Sequence, residues 1–235
     1  MHVTLRAVKD QYFGDARDYL KYHLLEALLA GVPGVERLVC LWMLTPPDGT
    51  QEGNVPFVER PELPRLTAFL RRHLESGDRR VSHMRAYFEE QGIEYTPWGD
   101  ERPYFTNERR AAYFRNVPEA GLTNAVVFFD PDNGIATGRA TPKHLTFQDI
   151  ARVRDRMRGN SLAVIYQHAQ RKSDFWETMA TEIRRQLEAP VGYVAGPSVA
   201  YFVVPQNSTL IPSVDLVLQG VADSGRSRRV GQVRI

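Results

Sequence analysis

The sequence predicts a three-layer α/β fold of the doubly wound kind, with helices on both faces of a mostly parallel sheet. Three segments that are apolar except for Ser161 have the length and the β-branched or aromatic content of buried strands. These segments are 38–44, 125–129 and 161–166. Segments with apolar residues at helical spacing separate them, and this alternation is typical of parallel strands joined by crossover helices.

The composition narrows the class of protein. The chain has 235 residues, of which 43% are hydrophobic and 25% charged, as expected for one globular domain with enough apolar material for a core. It contains no run of about 18 apolar residues and no N-terminal apolar segment of the signal-peptide kind. The single cysteine, Cys40, lies inside an apolar segment and fits a core position in a reducing compartment. We therefore expect a cytoplasmic protein with no membrane partner.

The charge of the chain gives weak information about partners. The net charge is +2, and the basic residues are nearly all arginines, whose planar side chains suit phosphate and carboxylate groups. Paired arginines such as 71–72 and 184–185 are typical of solvent-exposed helix faces. A net charge of +2 does not by itself indicate a polyanionic partner.

The first half of the chain predicts a helix, a strand and an insertion. Apolar residues at helical spacing predict a helix over about 15–30, followed by the first apolar strand. Asp18 and Lys21 lie three residues apart on one face of this helix. They form either a surface ion pair worth well under about 1 kcal/mol or a polar face that points into a site. A loop rich in proline and glycine over 45–60 begins a loop and helical insertion around 45–105.

The second half of the chain continues the alternation of predicted strands and helices, but it ends in a run of predicted strands. Thr146 and Asp149 resemble a capping box that opens a helix to about residue 157. The last strand-like segments are 191–195, 199–204 and 214–218, and they suggest an antiparallel hairpin that closes the sheet. We thus expect one domain over 1–220 and a polar, arginine-rich tail over 221–235.

A polar turn follows the second apolar strand directly. It reads Asp130-Pro131-Asp132-Asn133-Gly134, and it suits a tight turn after an extended residue. Two carboxylates and an amide would therefore lie at the carboxyl end of a central strand, where open α/β sheets bind ligands. A turn alone would use the same residues. A second polar cluster after the next strand, at 167–171, favours a site.

Three motifs in order resemble those of Rossmann-like S-adenosylmethionine-dependent methyltransferases of the ribosomal-RNA adenine type. Segment 13–22, Phe-Gly-Asp-Ala-Arg-Asp-Tyr-Leu-Lys-Tyr, is similar to the opening Gly-Asn-x-Ala-Asp-x-x-Lys-His of that family. The apolar strand 38–44 comes next, and 130–133 stand where the family has Asp-Pro-Pro-Tyr. Residues 166–168 stand at its aromatic-rich turn. The chain is also similar to uncharacterised bacterial proteins that carry Gly-Asp-x-x-Asp-x-x-Lys-Tyr and Asp-Pro-Asp-Asn-Gly.

The resemblance implies a methyltransferase-type sheet, S-adenosylmethionine as cofactor, and nucleic acid or a nucleotide as substrate. Asp130 and the carbonyl of Pro131 would accept hydrogen bonds from the target amine. The leading hypothesis takes Asp130, Asp132, Asn133 and His168 as catalytic residues, and Asp15, Asp18, Lys21, Pro131 and Arg171 as substrate-binding residues. Thr45 and Asp48, in the loop after the first strand, would border the cofactor.

Two departures from the family motifs leave alternatives open. Thr45-Pro46-Pro47-Asp48-Gly49 replaces the glycine-rich cofactor loop, and prolines lack the backbone donors of glycines. Asp132 and Asn133 replace the second proline and the aromatic residue that stacks on a flipped base. The chain could therefore be a non-catalytic relative that binds nucleic acid or a partner.

The second carboxylate also suits metal-dependent phosphodiester hydrolysis. Oxygen ligands suit Mg²⁺ or Mn²⁺, and the oxygen-bearing groups are Asp130, Asp132 and Asn133, with Asp15 and Asp18 as further ligands. His168 would be a ligand or a general base, and Lys21, Arg171 and Lys172 could hold a phosphate. Zinc is disfavoured, because the chain has one cysteine and its six histidines show no ligand spacing.

Overall fold

The protein is described here by a computed structural model that covers residues 13–14, 16–46, 63–101, 103–170, 174–196, 198–224 and 229–233. The strands are β1 (Arg37–Trp42), β2 (Glu94–Trp98), β3 (Ala125–Asp130), β4 (Gly134–Ile135), β5 (His144–Leu145), β6 (Leu162–His168), β7 (Val191–Ala195), β8 (Val199–Pro205) and β9 (Arg229–Val233). The α-helices are α1 (Ala16–Gly31), α2 (Pro64–Ser76), α3 (Met84–Glu90), α4 (Arg110–Arg115), α5 (Phe147–Arg154), α6 (Phe175–Leu187) and α7 (Ile211–Asp223). Short 3₁₀ helices lie at Val81–His83, Glu119–Leu122 and Ser208–Leu210.

Seven strands form one sheet in the order β2-β1-β3-β6-β8-β7-β9. The neighbours β2, β1, β3 and β6 are parallel, whereas β8 is antiparallel to both β6 and β7. Strands β4 and β5 form a separate two-stranded parallel ribbon. The expected α/β architecture, a mostly parallel sheet with a C-terminal antiparallel hairpin, is therefore confirmed.

The sheet is buried on both faces. Because side chains alternate along a strand, Val126 and Phe128 of β3 face the core layer of α1, α2, α3 and α7, and Val127 and Phe129 face the layer of α4, α5 and α6. This burial on both sides explains why the central strands are continuous apolar runs. Within the described part of the chain, no helix is both long enough and apolar enough to cross a bilayer.

The four parallel neighbours end at one edge of the sheet, which we call the carboxyl edge. Trp42 of β1 is in register with Asp130 of β3, and β2 and β6 end at Trp98 and His168. The polar segments after these strands therefore share this edge.

The C-terminal part differs from the sequence prediction in two places. Residues 214–218, predicted as a strand, lie inside α7. Pro212 is in the first turn of that helix, and Val214, Leu218 and Val221 lie at helical spacing and are buried. The predicted polar tail contains the end of α7 and the edge strand β9, which pairs with β7.

The segment predicted as an insertion contributes to the sheet itself. It carries α2, α3 and β2, and β2 pairs with β1 in parallel. The loop predicted over 45–60 lies mostly outside the described residues. The predicted capping box at the start of α5 is confirmed, since Thr146 and Asp149 exchange side-chain-to-backbone hydrogen bonds.

Candidate functional site

A cluster of three charged side chains lies where α1 meets the end of β3, and we call it the charged cluster. Nζ of Lys21 lies 2.8 Å from Oδ1 of Asp18 and 3.3 Å from Oδ2 of Asp130. The backbone N–H of Gly14 donates to Oδ2 of Asp18 at 2.9 Å. The exposed fractions of Asp18, Lys21 and Asp130 are only 6%, 8% and 4%. The interpretation of Asp18 and Lys21 as a surface ion pair is therefore wrong.

Aromatic rings enclose the ammonium group of the charged cluster. Nζ of Lys21 lies 5.4 Å from the ring centroids of Tyr22 and Trp42 and 5.9 Å from that of Phe128, within the range of cation–π attraction. Burial alone would lower the pKa of Lys21, but Asp130 and then Asp18 outweigh it and raise this pKa well above its ordinary value. Lys21 is thus charged, and its ammonium group attracts both carboxyl groups.

The hydroxyl of Tyr22 is an unsatisfied polar group beside this cluster. The side chain is fully buried, and its hydroxyl has no hydrogen-bond partner among the described residues. Burial, followed by the charge of Asp18, raises the pKa of Tyr22, so the phenol keeps its proton. A buried donor without a partner marks a place where a ligand atom or a water completes the hydrogen bonding.

The other predicted residues near the turn take different positions. The hydroxyl of Thr45 donates to Oδ2 of Asp132, so a predicted cofactor residue and a predicted catalytic residue bind each other. Thr45 is buried, and this hydrogen bond ties the end of β1 to the turn after β3. Asp15, Asp48 and Arg171, with Lys172, lie outside the described residues.

A polar cavity of about 210 Å³ lies between this turn and the end of β6. Its lining residues are Asn133, Ile135, Thr137, His144, His168, Ala169 and Gln170. Nδ1 of His168 lies 3.3 Å from the carbonyl oxygen of Ala169. The backbone N–H of His168 donates to the carbonyl of Asn133 at 3.3 Å. The structure thus brings Asn133 and His168 to one cavity, and it groups Asp18, Lys21 and Asp130 in the charged cluster.

Two residues that sequence reasoning missed shape this polar cavity. Gln167 is buried, its Oε1 accepts from the backbone N–H of Ile135 at 2.7 Å, and its Nε2 donates to the carbonyl of His168 at 3.0 Å. Gly134 has a φ of 94°, and a side chain there would collide with Gln167. His144 lines the cavity because β5 pairs with β4 beside the turn. No local sequence pattern marks His144, and Gln167 lies in the predicted polar cluster over 167–171 but acts through its tertiary contact with Ile135.

His144 is held as a neutral hydrogen-bond acceptor at Nδ1. The backbone N–H of Thr141 donates to this nitrogen at 3.4 Å, and the Thr141 hydroxyl lies 2.8 Å from it. Burial and then the positive charge of Arg110 lower the pKa of His144. Its Nε2 consequently carries the proton and is a donor.

A second, more aromatic cavity of about 360 Å³ lies at the end of β2. Its walls include the rings of Trp98, Tyr104, Phe105 and Tyr113, together with the carboxyl groups of Asp100 and Glu101. Burial raises the pKa of Asp100. The hydroxyl of Tyr113 lies 2.9 Å from the carbonyl oxygens of both Trp42 and Trp98, so this wall is fixed to β1 and β2. No local sequence pattern marks this cavity, because its position depends on β2 and the residues of β2 show no strong strand pattern.

The residues named for a divalent metal do not form a compact ligand set in the described part of the chain. There, the only group of three or more histidine, cysteine or acidic residues with ligand atoms within 4.8 Å of one another is His73, Asp78 and His83. Asp130, Asp132 and His168 do not form such a group together.

Comparisons with known proteins give no family assignment. A scan against protein-family models finds no matching family, and a search of curated proteins finds no match. The assignment of a function therefore depends on the geometry of the site and on the sequence motifs.

Proposed function

We propose that this protein is a Rossmann-like, methyltransferase-type enzyme that uses S-adenosylmethionine to methylate an amino group of nucleic acid or of a nucleotide. The observation that carries the proposal is the charged cluster, in which Asp18 and Lys21 of α1 meet Asp130 at the carboxyl edge. Open α/β sheets bind ligands at this edge. The three residues are also the ones that carry the sequence resemblance.

The sheet supports the methyltransferase type of Rossmann fold. Four parallel neighbours, β2, β1, β3 and β6, form one half, and the reversed strand β8 lies between β6 and β7. This is the mostly parallel sheet with a C-terminal antiparallel hairpin that the resemblance implies.

The aromatic cavity at the end of β2 fits the adenosine part of the cofactor. Its volume of about 360 Å³ lies within the usual range of about 300–1,000 Å³ for small-molecule sites. The rings of Trp98 and Tyr104 can pack against an adenine ring, and the carboxylates of Asp100 and Glu101 can accept hydrogen bonds from ribose hydroxyls. We assign these residues, rather than Thr45, to the cofactor, because the Thr45 hydroxyl is already bound to Asp132. The cofactor supplies an electrophilic methyl group.

Each part of the site has a defined role in this proposal. A carboxylate oxygen of Asp130 accepts a hydrogen bond from the target amine, which orients its lone pair. Lys21 holds that carboxylate in position and offsets the repulsion between Asp130 and Asp18. In the polar cavity, Asn133, His144 and His168 offer donors and acceptors that match the edge of a base.

A methyl-transfer assay tests the proposal. The full chain is incubated with tritium-labelled S-adenosylmethionine and a panel of RNA, DNA and free nucleotides. We expect transfer to at least one substrate, lowered about 100-fold or more by Asp130→Asn, the loss typical of removing a preorganised polar group from a reaction centre. Asp155→Asn, an exposed carboxylate just after α5, is the matched control and should be unaffected. Transfer to no substrate, or transfer insensitive to Asp130→Asn, contradicts the proposal.

The same panel distinguishes the metal-dependent alternative. Incubation with Mg²⁺ or Mn²⁺ and no cofactor would reveal hydrolysis of nucleic acid. Cleavage that both EDTA and Asp130→Ala abolish, in a variant that keeps its fold, would replace the methyltransferase proposal. Salt-sensitive binding of nucleic acid without either activity would indicate a non-catalytic binding protein.

A further inference from the structure

A second cluster of ligand-type side chains lies at the end of α2 and in the segment that follows it. His73 is in the last turn of α2, Asp78 comes after that helix, and His83 ends the next 3₁₀ helix. Each residue offers one ligand atom, and these three atoms lie within 4.8 Å of one another. The cluster shares no residue with the charged cluster or with the two cavities.

A glycine turn brings the two histidines together. Gly77 ends α2 with a φ of 69°, and its N–H donates to the carbonyl of Leu74. The reversed chain stacks the rings of His73 and His83 with their centroids 4.0 Å apart and their planes 16° apart. The ring of Phe13 packs against both imidazoles, at 5.9 and 6.2 Å. The two side chains are therefore held side by side by packing.

The Nε2 atoms of the two imidazoles are the candidate metal-binding nitrogens of this cluster. Nε2 of His73 and Nε2 of His83 are buried and have no hydrogen-bond partner among the described residues. Nε2 of His83 lies 3.0 Å from Oδ2 of Asp78, but without the alignment of a hydrogen bond.

We propose that His73, Asp78 and His83 bind one Zn²⁺ ion. Two imidazole nitrogens and one carboxylate oxygen are ligands that Zn²⁺ takes in proteins, and water completes the usual four. Mg²⁺ and Ca²⁺ prefer oxygen ligands throughout, so the two imidazoles favour zinc over either ion. Successive ligands are five residues apart, a spacing that matches no common zinc motif. The three side chains can still meet because the chain reverses its direction at Gly77.

Neighbouring groups would orient the ligands. Arg80 donates to both carboxylate oxygens of Asp78, with Nε and Nη2 each at 2.9 Å, so the ion shares this carboxylate with Arg80. Nε of Arg79 donates to the carbonyl of Phe13 at 2.6 Å. Phe13 precedes Gly14, whose N–H binds Asp18, so the zinc site adjoins the backbone that supports the charged cluster.

Calorimetric titration of the full, metal-stripped chain with Zn²⁺ tests this inference. We expect one Zn²⁺ per chain, bound about 10- to 100-fold or more weakly by His73→Asn and by His83→Asn, since even the loss of an outer-shell partner has an effect of that size. His23→Asn, on α1 and outside the cluster, is the matched control and should leave the affinity unchanged. Binding that persists undiminished in both cluster variants contradicts the proposal.

A second measurement on the unaltered protein covers the case in which a variant fails to fold. Co²⁺ in a four-coordinate site absorbs visible light strongly, and Zn²⁺ should displace it. We also expect Zn²⁺ to raise the unfolding temperature of the wild type, because an ion that binds only the folded state stabilises it. No uptake of Zn²⁺ at millimolar concentration, with no visible Co²⁺ band, overturns the proposal whatever the outcome of the methyl-transfer assay.

Discussion

Replacing Lys21 with methionine removes the ammonium group from the charged cluster while keeping a long apolar side chain among the same rings. Asp18 and Asp130 would then face each other without the cation that lies 2.8 and 3.3 Å from them. The N–H of Gly14 still supports Asp18. The substitution therefore removes the ammonium group that attracts both buried carboxylates.

The burial of the cluster sets the expected magnitude. Removing one partner of a buried ion pair costs about 3–5 kcal/mol of unfolding free energy, whereas an exposed pair contributes about 0–1 kcal/mol. In a chain of this size each kcal/mol lowers the unfolding temperature by about 2–4 °C, so we expect a drop of about 6–20 °C. Because the pKa of Lys21 is raised, its contribution is fully present below the ordinary lysine pKa of about 10.4 and is lost only as pH rises through the folded value. The experiment therefore belongs at neutral pH.

Urea unfolding followed by circular dichroism measures this loss. Arg185→Met is the matched control, since Arg185 pairs with Glu182 at 2.6 Å on an exposed surface, and we expect little or no loss of stability for it. Asp130→Asn leaves the Lys21–Asp18 pair intact and should cost less, about 1–3 kcal/mol. A loss for Lys21→Met below about 1 kcal/mol, or one smaller than that of Asp130→Asn, would refute the account of a buried cluster that depends on its ammonium.

Three further predictions concern other parts of the fold. Arg110 binds the fully buried Asp149, so Arg110→Ala should lower the free energy of unfolding in urea by about 3–5 kcal/mol. A loss near zero would show that this ion pair does not stabilise the fold. The pKa of His144 is lower in the folded chain than in the unfolded chain, so the unfolded chain binds a proton at this residue first as pH falls below about 6.5. The free energy of unfolding of the wild type should therefore fall more steeply below that pH than that of His144→Gln. The same dependence of unfolding free energy on pH in the two proteins would contradict this prediction. Burial raises the pKa of the Cys40 thiol, so a thiol reagent should modify it only in denaturant, and rapid modification of the native protein would place it at the surface.

The central strands of the fold could be predicted because the apolar pattern that identifies each of them lies within a short segment of the sequence. The runs at 38–44, 125–129 and 161–166 are apolar on both strand faces, and they correspond to β1, β3 and β6. The start of α5 could be predicted from its capping box. Segment 214–218 could not, because a short apolar run fits a strand or a buried helix equally well. Its true state depends on the helix that begins before Pro212 and packs against β7.

The candidate site could be predicted in outline from topology. The contact between Lys21 and Asp130 joins residues 109 positions apart. Asp130 lies at the carboxyl edge because β3 ends there, whereas Lys21 reaches this edge from α1, which precedes β1. The burial of Asp18 and Lys21 could not be derived, because it depends on the rings of Tyr22, Trp42 and Phe128 around them. His144 and the residues of the proposed zinc site were missed for a related reason. A ribbon and a glycine turn position them, and neither leaves a ligand-type spacing in the sequence.

Direct binding of the cofactor is the most immediate test of the proposed function. Calorimetric titration of the full chain with S-adenosylmethionine and with its demethylated product requires no knowledge of the substrate. We expect saturable binding of one molecule per chain, weakened by Asp100→Ala in the aromatic cavity. The absence of any binding at millimolar ligand would contradict the assignment of this protein as a methyltransferase.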